Sequence, residues 1–282
     1  MEIAVMSVPW IEELTAYGHS RFPVRLFFPL ALFISMAGQV GSQGGDPDSL
    51  AISTFLSFGL LFQFRLWDDL SDQARDLVDY PDRILSKTNA TENFRILLFG
   101  SGLFNFMLVL LIYGHGHQSS VFVLLSSAFL LWYQWLRAFF SNPFLCYHVL
   151  LIKYPAFVYL LNRSPFQNPG VHLFLSMALV YFSFCIYEVL HDKRLHRLKS
   201  ALKVLFIEMS AMIFISAMIV ISSSDRGRPA VLLQSLLAVL GVFVLATLFK
   251  RHKGGFKLNG WRYSAFVVAF FQILAFSLSE GL

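Results

Sequence analysis

The sequence predicts an all-α, polytopic membrane protein: a bundle of nine transmembrane helices forming one domain over residues 1–282, with residues 1–22 as an N-terminal interfacial segment. Three observations predict it. The chain is 56% hydrophobic and 14% charged, too apolar for a soluble globular domain, and at 282 residues it is too long for a single anchor. Apolar stretches close to the ~20 residues needed to cross a bilayer recur almost evenly along it. Lys and Arg fall on one side of the threading that those stretches imply.

Taken in order, the first residues contain Glu2, Pro9, Glu12 and Glu13 and lack a long apolar core, so they do not read as a secretory signal. Residues 9–17 have the composition of a short interfacial helix. The first span covers 23–40 and ends in the polar loop GSQGGDPD. The second covers 49–67 and runs into a strongly acidic stretch, which Pro81 is expected to end. The third covers 94–113 and closes on GHGHQSS. The fourth covers 121–140 and closes on SNP. The fifth covers 144–161, before NRSPFQNPG. The sixth covers 171–190, before HDKRLHRLK. The seventh covers 201–221, before SSSDRGRP. The eighth covers 230–249, before KRHKGGFKLNGWR, and the ninth covers 263–278.

Charge tests this threading. With nine spans, all but four of the 22 Lys and Arg residues fall on the side where the chain starts. The exceptions are Arg163, Arg226 and Arg228 on the far side, and Lys153 within the fifth span. By the positive-inside rule the rich side is cytoplasmic. The N-terminus and the acidic stretch then face the cytoplasm and the C-terminus lies outside, in what reads as a bacterial inner membrane. The net charge of +5 is accounted for by these loops, and nucleic acid is not an expected partner. No obligate protein partner is evident. Cys146 and Cys185 both lie in apolar segments and define neither a disulfide framework nor a thiolate site.

The acidic stretch, FRLWDDLSDQARDLVDYPDRILSK, holds six of the 17 acids. On a helix, Asp68, Asp72 and Asp76 follow at i, i+4 and i+8, flanked by Asp69 and Asp79. Like charges at that spacing repel by roughly 0.2–0.5 kcal/mol per pair, so a stack of them at a membrane edge suggests cations held between. Carboxylate oxygens suit Mg²⁺, which completes its shell with water and substrate phosphate. Arg75, Arg83 and Lys87 are close enough in sequence to hold further phosphate oxygens. The alternative is a solvated acidic helix end.

A second acidic pair, Glu188 and Asp192, ends the sixth span at the same edge, followed by Lys193, Arg194 and Arg197. Two such pairs facing each other would clamp Mg²⁺ ions around one diphosphate. Lys153 lies about ten residues into the fifth span, where a charge costs around 2.5–3.5 kcal/mol on insertion scales. It either neutralises a leaving diphosphate or snorkels to the interface past Tyr147 and His148. Glu208, inside the seventh span, either pairs with Lys153 or Lys203 or acts as a base.

The two acidic motifs resemble those of the UbiA superfamily of intramembrane prenyltransferases, whose members have nine transmembrane helices and Asp-rich motifs on helices two and six. The first motif, typically N-D-x-x-D-x-x-x-D before R-P-L, reads here from Asp68 to Asp76 and is followed by Arg83-Ile84-Leu85. Asp69, Asp72 and Asp76 take the family's aspartate positions, and Asp68 replaces its Asn. The second, typically D-x-x-x-D-K/R, reads Glu188 to Lys193. An Asp that often stands four residues earlier is here Phe184.

The resemblance implies a cytoplasm-facing central cavity with Mg²⁺ on Asp68, Asp69, Asp72, Asp76, Glu188 and Asp192. It implies diphosphate contacts from Arg75, Arg83, Lys87, Lys153 and Lys193, with Lys153, Arg83 and Lys193 stabilising the departing charge. Trp67, Trp132, Tyr147 and Tyr154 are the aromatic candidates for stabilising an allylic carbocation, although interface anchoring explains tryptophans equally. The implied activity is transfer of a prenyl group from a prenyl diphosphate to an aromatic or lipophilic acceptor. A terpene cyclase on the same scaffold, quenching the cation within its own chain, is the first alternative. A transporter is the second, against which the acids cluster at one edge rather than along a midplane path.

Overall fold

In a computed structural model of the chain, residues 8–40, 47–162, 170–192, 195, 198–222 and 263–280 are described. Their regular structure is entirely helical: α1 Val8–Arg21, α2 Val24–Gln39, α3 Pro47–Ser71, α4 Gln73–Asp79, α5 Ile84–Lys87, α6 Thr91–Tyr113, α7 His117–Gln134, α8 Pro143–Leu151, α9 Lys153–Leu161, α10 Val171–His191, α11 Ala201–Ser222 and α12 Ser264–Glu280, with a 3₁₀ turn at Leu136–Phe139. They form two compact units, one comprising Met1–Leu32 with Ala51–Leu124, the other Phe33–Leu50 with Leu125–Leu282.

The chain is a multi-pass membrane protein. Among the described residues five helices are long and apolar enough to cross a bilayer, or six if α1 and α2, bent by 62°, count as one span. This is fewer than the nine expected. The expected eighth span, 230–249, lies outside the described residues. The ninth appears as the shorter apolar helix α12. The first is α2, 16 residues long, separated from α1 by Pro23. The fourth stops early: α7 ends at Gln134, Trp135 departs from helical geometry with φ −135° and ψ −54°, and a 3₁₀ turn leads to the Asn142 cap of α8. The Asn142 side chain accepts from the Phe144 and Leu145 amides, which fixes where the next helix begins.

The fifth span is broken. Pro155 has no amide hydrogen, so the Leu151 carbonyl loses its helical donor. The chain answers with a tighter bond, Ile152 N–H to Val149 O at 3.2 Å, and restarts as α9. Lys153 is the first residue after this break.

In the first unit, α1 covers the expected interfacial segment and buries one face. Trp10 and Tyr17 are buried, their rings 4.5 and 5.5 Å from that of Phe94 in α6. The α3 and α6 helices are joined by a buried hydrogen bond from the Asn105 amide to Gln63 Oε1 at 2.8 Å, a polar tie of the kind that holds helices together in lipid. In the second unit α10 is central, packing on α8, α9, α11 and α12. Gly38, near the end of α2, lies against α9: a Cβ added there would stand 2.9 Å from the Leu161 Cβ and 3.0 Å from the Val158 carbonyl oxygen. The Asn162 side chain donates to the Gly38 carbonyl at 2.9 Å.

Because the atoms facing Gly38 include backbone, they cannot swing aside. Gly38→Ala is therefore expected to destabilise the protein by about 1–3 kcal/mol through overpacking. Thermal unfolding in detergent tests this, and an unchanged Tm would contradict the close approach of α2 and α9.

Candidate functional site

The acidic face forms as the spacing requires. The Asp72 amide donates to the Asp68 carbonyl at 3.0 Å, the Asp76 amide to Asp72 at 2.8 Å, and the Tyr80 amide to Asp76 at 2.8 Å. The i to i−4 ladder thus continues from α3 through α4, stacking Asp68, Asp72 and Asp76 on one face. Tyr80 leaves helical geometry with φ −145° and ψ 63°, as a residue before proline tends to, so Pro81 ends the run as expected.

Each acid has a distinct environment. Asp69 is buried and its oxygens are taken. The Tyr17 hydroxyl donates to Oδ2 at 3.0 Å, Arg21 Nε donates to Oδ2 at 3.1 Å while its Nη2 pairs with Oδ1, and Arg65 stands 3.4 Å from Oδ1. This carboxylate ties α1 to α3, and its charge is compensated by two guanidinium groups. Asp72 is half-buried and pairs with Arg75. Asp76 is buried and pairs through Oδ2 with Arg83, whose guanidinium also lies 4.0 Å above the Tyr80 ring. The other oxygen of Asp76, Oδ1, is buried without a hydrogen-bond partner. Lys87 pairs with Asp82 at 2.9 Å, both well exposed, a contact of little energetic weight.

In the second unit, Glu188 lies in the last turn of α10 and Asp192 caps it, the Asp192 amide donating to the Glu188 carbonyl at 2.8 Å. Both are half-exposed and one turn apart. Lys193, expected beside them, lies outside the described residues. Lys153 is 3% exposed, enclosed by protein. Its ammonium lies 5.5 Å from the Tyr154 ring centroid and 5.9 Å from that of Phe129, within cation–π range. Tyr154 stacks face to face on Phe184 at 3.4 Å, so the position where the resemblance allows a further Asp carries an aromatic stack instead.

The remaining aromatic candidates divide. Trp67 is half-exposed, 5.7 Å from the Phe64 ring. Trp132 is buried and stacks on Phe140 at 5.4 Å. Tyr147 is buried and its hydroxyl donates to Glu208. The partners of Glu208 are therefore Tyr147 and His148, whose Nε2 is 3.5 Å away, rather than a lysine. Its members stand on α8 and α11, with Tyr147 and Glu208 61 residues apart, too far for spacing along the chain to signal the cluster.

The two kinds of aspartate should separate experimentally. Asp69→Ala leaves Arg21 and Arg65 without their counter-charge, and breaking such a buried pair typically costs 3–5 kcal/mol, about enough to prevent accumulation of folded protein. Asp72→Ala removes a half-buried acid from a like-charge stack and is expected to leave Tm within a few degrees of wild type. Thermal stability in detergent tests both, and equal effects of the two substitutions would sink the distinction.

No protein-family profile matches the sequence, and no curated protein sequence does. A search by structure finds a solved digeranylgeranylglyceryl phosphate synthase in membranes, 13% identical, with a TM-score of 0.65 over 95% of this chain and 99% of that one. At that identity the likeness is one of fold. The chain carries the helical fold of that membrane synthase.

Proposed function

We propose that this protein is an intramembrane prenyltransferase of isoprenoid biosynthesis. It would ionise a prenyl diphosphate and transfer the prenyl group to a lipophilic or aromatic acceptor, with its acidic face toward the cytoplasm. The observation that carries this reading is the stacked face of Asp68, Asp72 and Asp76 interleaved with Arg75 and Arg83 at the end of a candidate span. A fold shared over nearly the whole chain with a membrane synthase supports it.

The residues present fit Mg²⁺. The donors are hard carboxylate oxygens, and Asp76 Oδ1 is a buried acceptor with nothing donating to it. Asp68, Asp72 and Asp76 of the first motif are residues that would hold an ion, and Glu188 and Asp192 of the second are carboxylates of the same kind. Bound there, Mg²⁺ supplies neutralisation of the diphosphate charge. Cations of each unit have their own chemistry to offer a diphosphate. Arg75 and Arg83 exchange carboxylate partners for diphosphate oxygens, which a planar guanidinium engages in pairs. Lys153, withdrawn from water, offers a fixed positive charge to a departing anion, where low dielectric makes it count for more than at a surface. Tyr154 and Phe184 present a stacked aromatic wall suited to an allylic cation.

Purified protein given radiolabelled farnesyl or geranylgeranyl diphosphate, with and without a panel of aromatic acceptors, tests the reading. Turnover is expected to need Mg²⁺ and to be inhibited by inorganic diphosphate, and activity undiminished by exhaustive EDTA treatment would overturn it. Prenyl diphosphate consumed to a hydrocarbon without acceptor would mark a cyclase instead.

Two substitutions probe the residues. Asp72→Ala is expected to abolish turnover. Lys153→Met is expected to lower kcat at least tenfold with Tm unchanged, since losing one donor to a developing charge typically costs about 2.7–4 kcal/mol. Lys153→Arg should recover only part of the loss, because its planar fork reaches differently from a point charge. A Lys153→Met enzyme within twofold of wild type would return the residue to a packing role.

A further inference from the structure

Glu208 poses a problem of charge. It lies within the candidate span Ala201–Ile219 and is 1% exposed. Tyr147 donates to its Oε1 and His148 Nε2 stands 3.5 Å from the same oxygen, while Oε2 is buried with no hydrogen-bond partner. Among the described residues its polar partners are thus a phenol and an imidazole. A carboxylate at that depth calls for a positive partner.

The neighbours of Glu208 supply a ligand set rather than a cation. Cys185, from α10, is fully buried, and its Sγ is 3.5 Å from His148 Nδ1. One donor atom each from His148, Cys185 and Glu208 lies within 4.8 Å of the others. With Zn–S at about 2.3 Å and Zn–N at about 2.0–2.1 Å, the sulfur–nitrogen edge of a tetrahedral zinc site is about 3.6 Å, close to the gap already present. An imidazole binds a metal through one nitrogen, so an ion shared with Cys185 sits on Nδ1, and the carboxylate, which faces Nε2, has to turn toward it, a movement within the rotameric freedom of a glutamate side chain. The Tyr181 hydroxyl, 2.9 Å from Nδ1, also reaches the His148 carbonyl at 3.4 Å, so its oxygen is a further donor at the edge of the cluster.

From this geometry we infer that His148, Cys185 and Glu208 form a binding site for a thiophilic divalent cation, of which Zn²⁺ is the best match. The donor set is one soft, one borderline and one hard atom, which suits zinc and not magnesium. Binding releases the Cys185 thiol proton to solvent. The site then contains Zn²⁺, a thiolate, a carboxylate and a neutral imidazole, with a net charge of zero. Such a site answers the charge problem of Glu208 within a span, and Tyr147 orients the carboxylate as an outer-shell partner. It draws on α8, α10 and α11, and none of its ligands belongs to either acidic motif.

The test uses full-length protein purified in detergent, stripped with a chelator and titrated with Co²⁺ and then Zn²⁺. Wild type is expected to show a thiolate-to-cobalt charge-transfer band, to lose it on adding one equivalent of Zn²⁺, and to retain one zinc per chain through gel filtration. Excess Mg²⁺ should not displace it. Cys185→Ser should abolish the band and weaken zinc binding at least tenfold. Glu208→Gln should weaken binding while keeping the band, and Cys146→Ser should leave both intact. A wild-type protein with no charge-transfer band overturns the inference whatever the variants do. So does a band that survives Cys185→Ser or is lost in Cys146→Ser. Asp72→Ala, which is expected to be inactive, should bind zinc normally, so a failed prenyltransferase assay and a failed metal titration remain separate results.

Discussion

A charge taken out of water needs a group that compensates it, and this constraint recurs in both units of the fold. Asp69 is held between Arg21 and Arg65, and Asp76 against Arg83. Lys153 lies within reach of two aromatic faces, and Glu208 lies against a phenol and an imidazole. In a soluble protein each of these groups could be relieved by a small shift toward solvent. In a span the alternative to a partner is hydrocarbon, so the helices are placed where the partners meet. The Asp69 cluster shows this directly: it joins α1 to α3 by charge, while the Trp10 and Tyr17 contacts with Phe94 join α1 to α6 by packing.

Much of the acidic face was legible because its geometry is local. Asp68, Asp72 and Asp76 are one helical turn apart, and nothing beyond the helix period is needed to stack them. What spacing cannot reveal is which of several neighbouring acids a distant residue will claim. Asp69 looks like its neighbours in sequence, but Tyr17, 52 residues away, and Arg21, 48 away, engage it. The same limit hid the His148, Cys185 and Glu208 cluster. Its members stand on three helices, and no pair is near enough in sequence to make a motif. Two cysteines in apolar segments said nothing, because the partner that matters to Cys185 is 37 residues upstream.

Span boundaries divide in the same way. The end of the α3–α4 run follows from Pro81, and the break between α8 and α9 from Pro155, a signal that an apolar stretch masks when it is read by hydropathy alone. The early end of α7 had no such signal. Trp135, Leu136 and Phe139 are as apolar as a span requires, yet the chain turns there. Hydropathy reports what lipid tolerates, and the backbone can leave a helix within a stretch that lipid would accept.

The Asn162 side chain closes the end of α2 by donating to the carbonyls of Gly38 and Val40, at separations of 124 and 122 residues. Terminal carbonyls of a helix need such donors once water is gone. During biosynthesis that donor does not yet exist when α2 emerges. At 5–20 residues per second it follows roughly 6–25 s later. Until then the end of α2 must stay hydrated or borrow a partner from the insertion machinery. The contact with Gly38 is therefore a late event in assembly, completed only after the seven helices α3 to α9 have been synthesised.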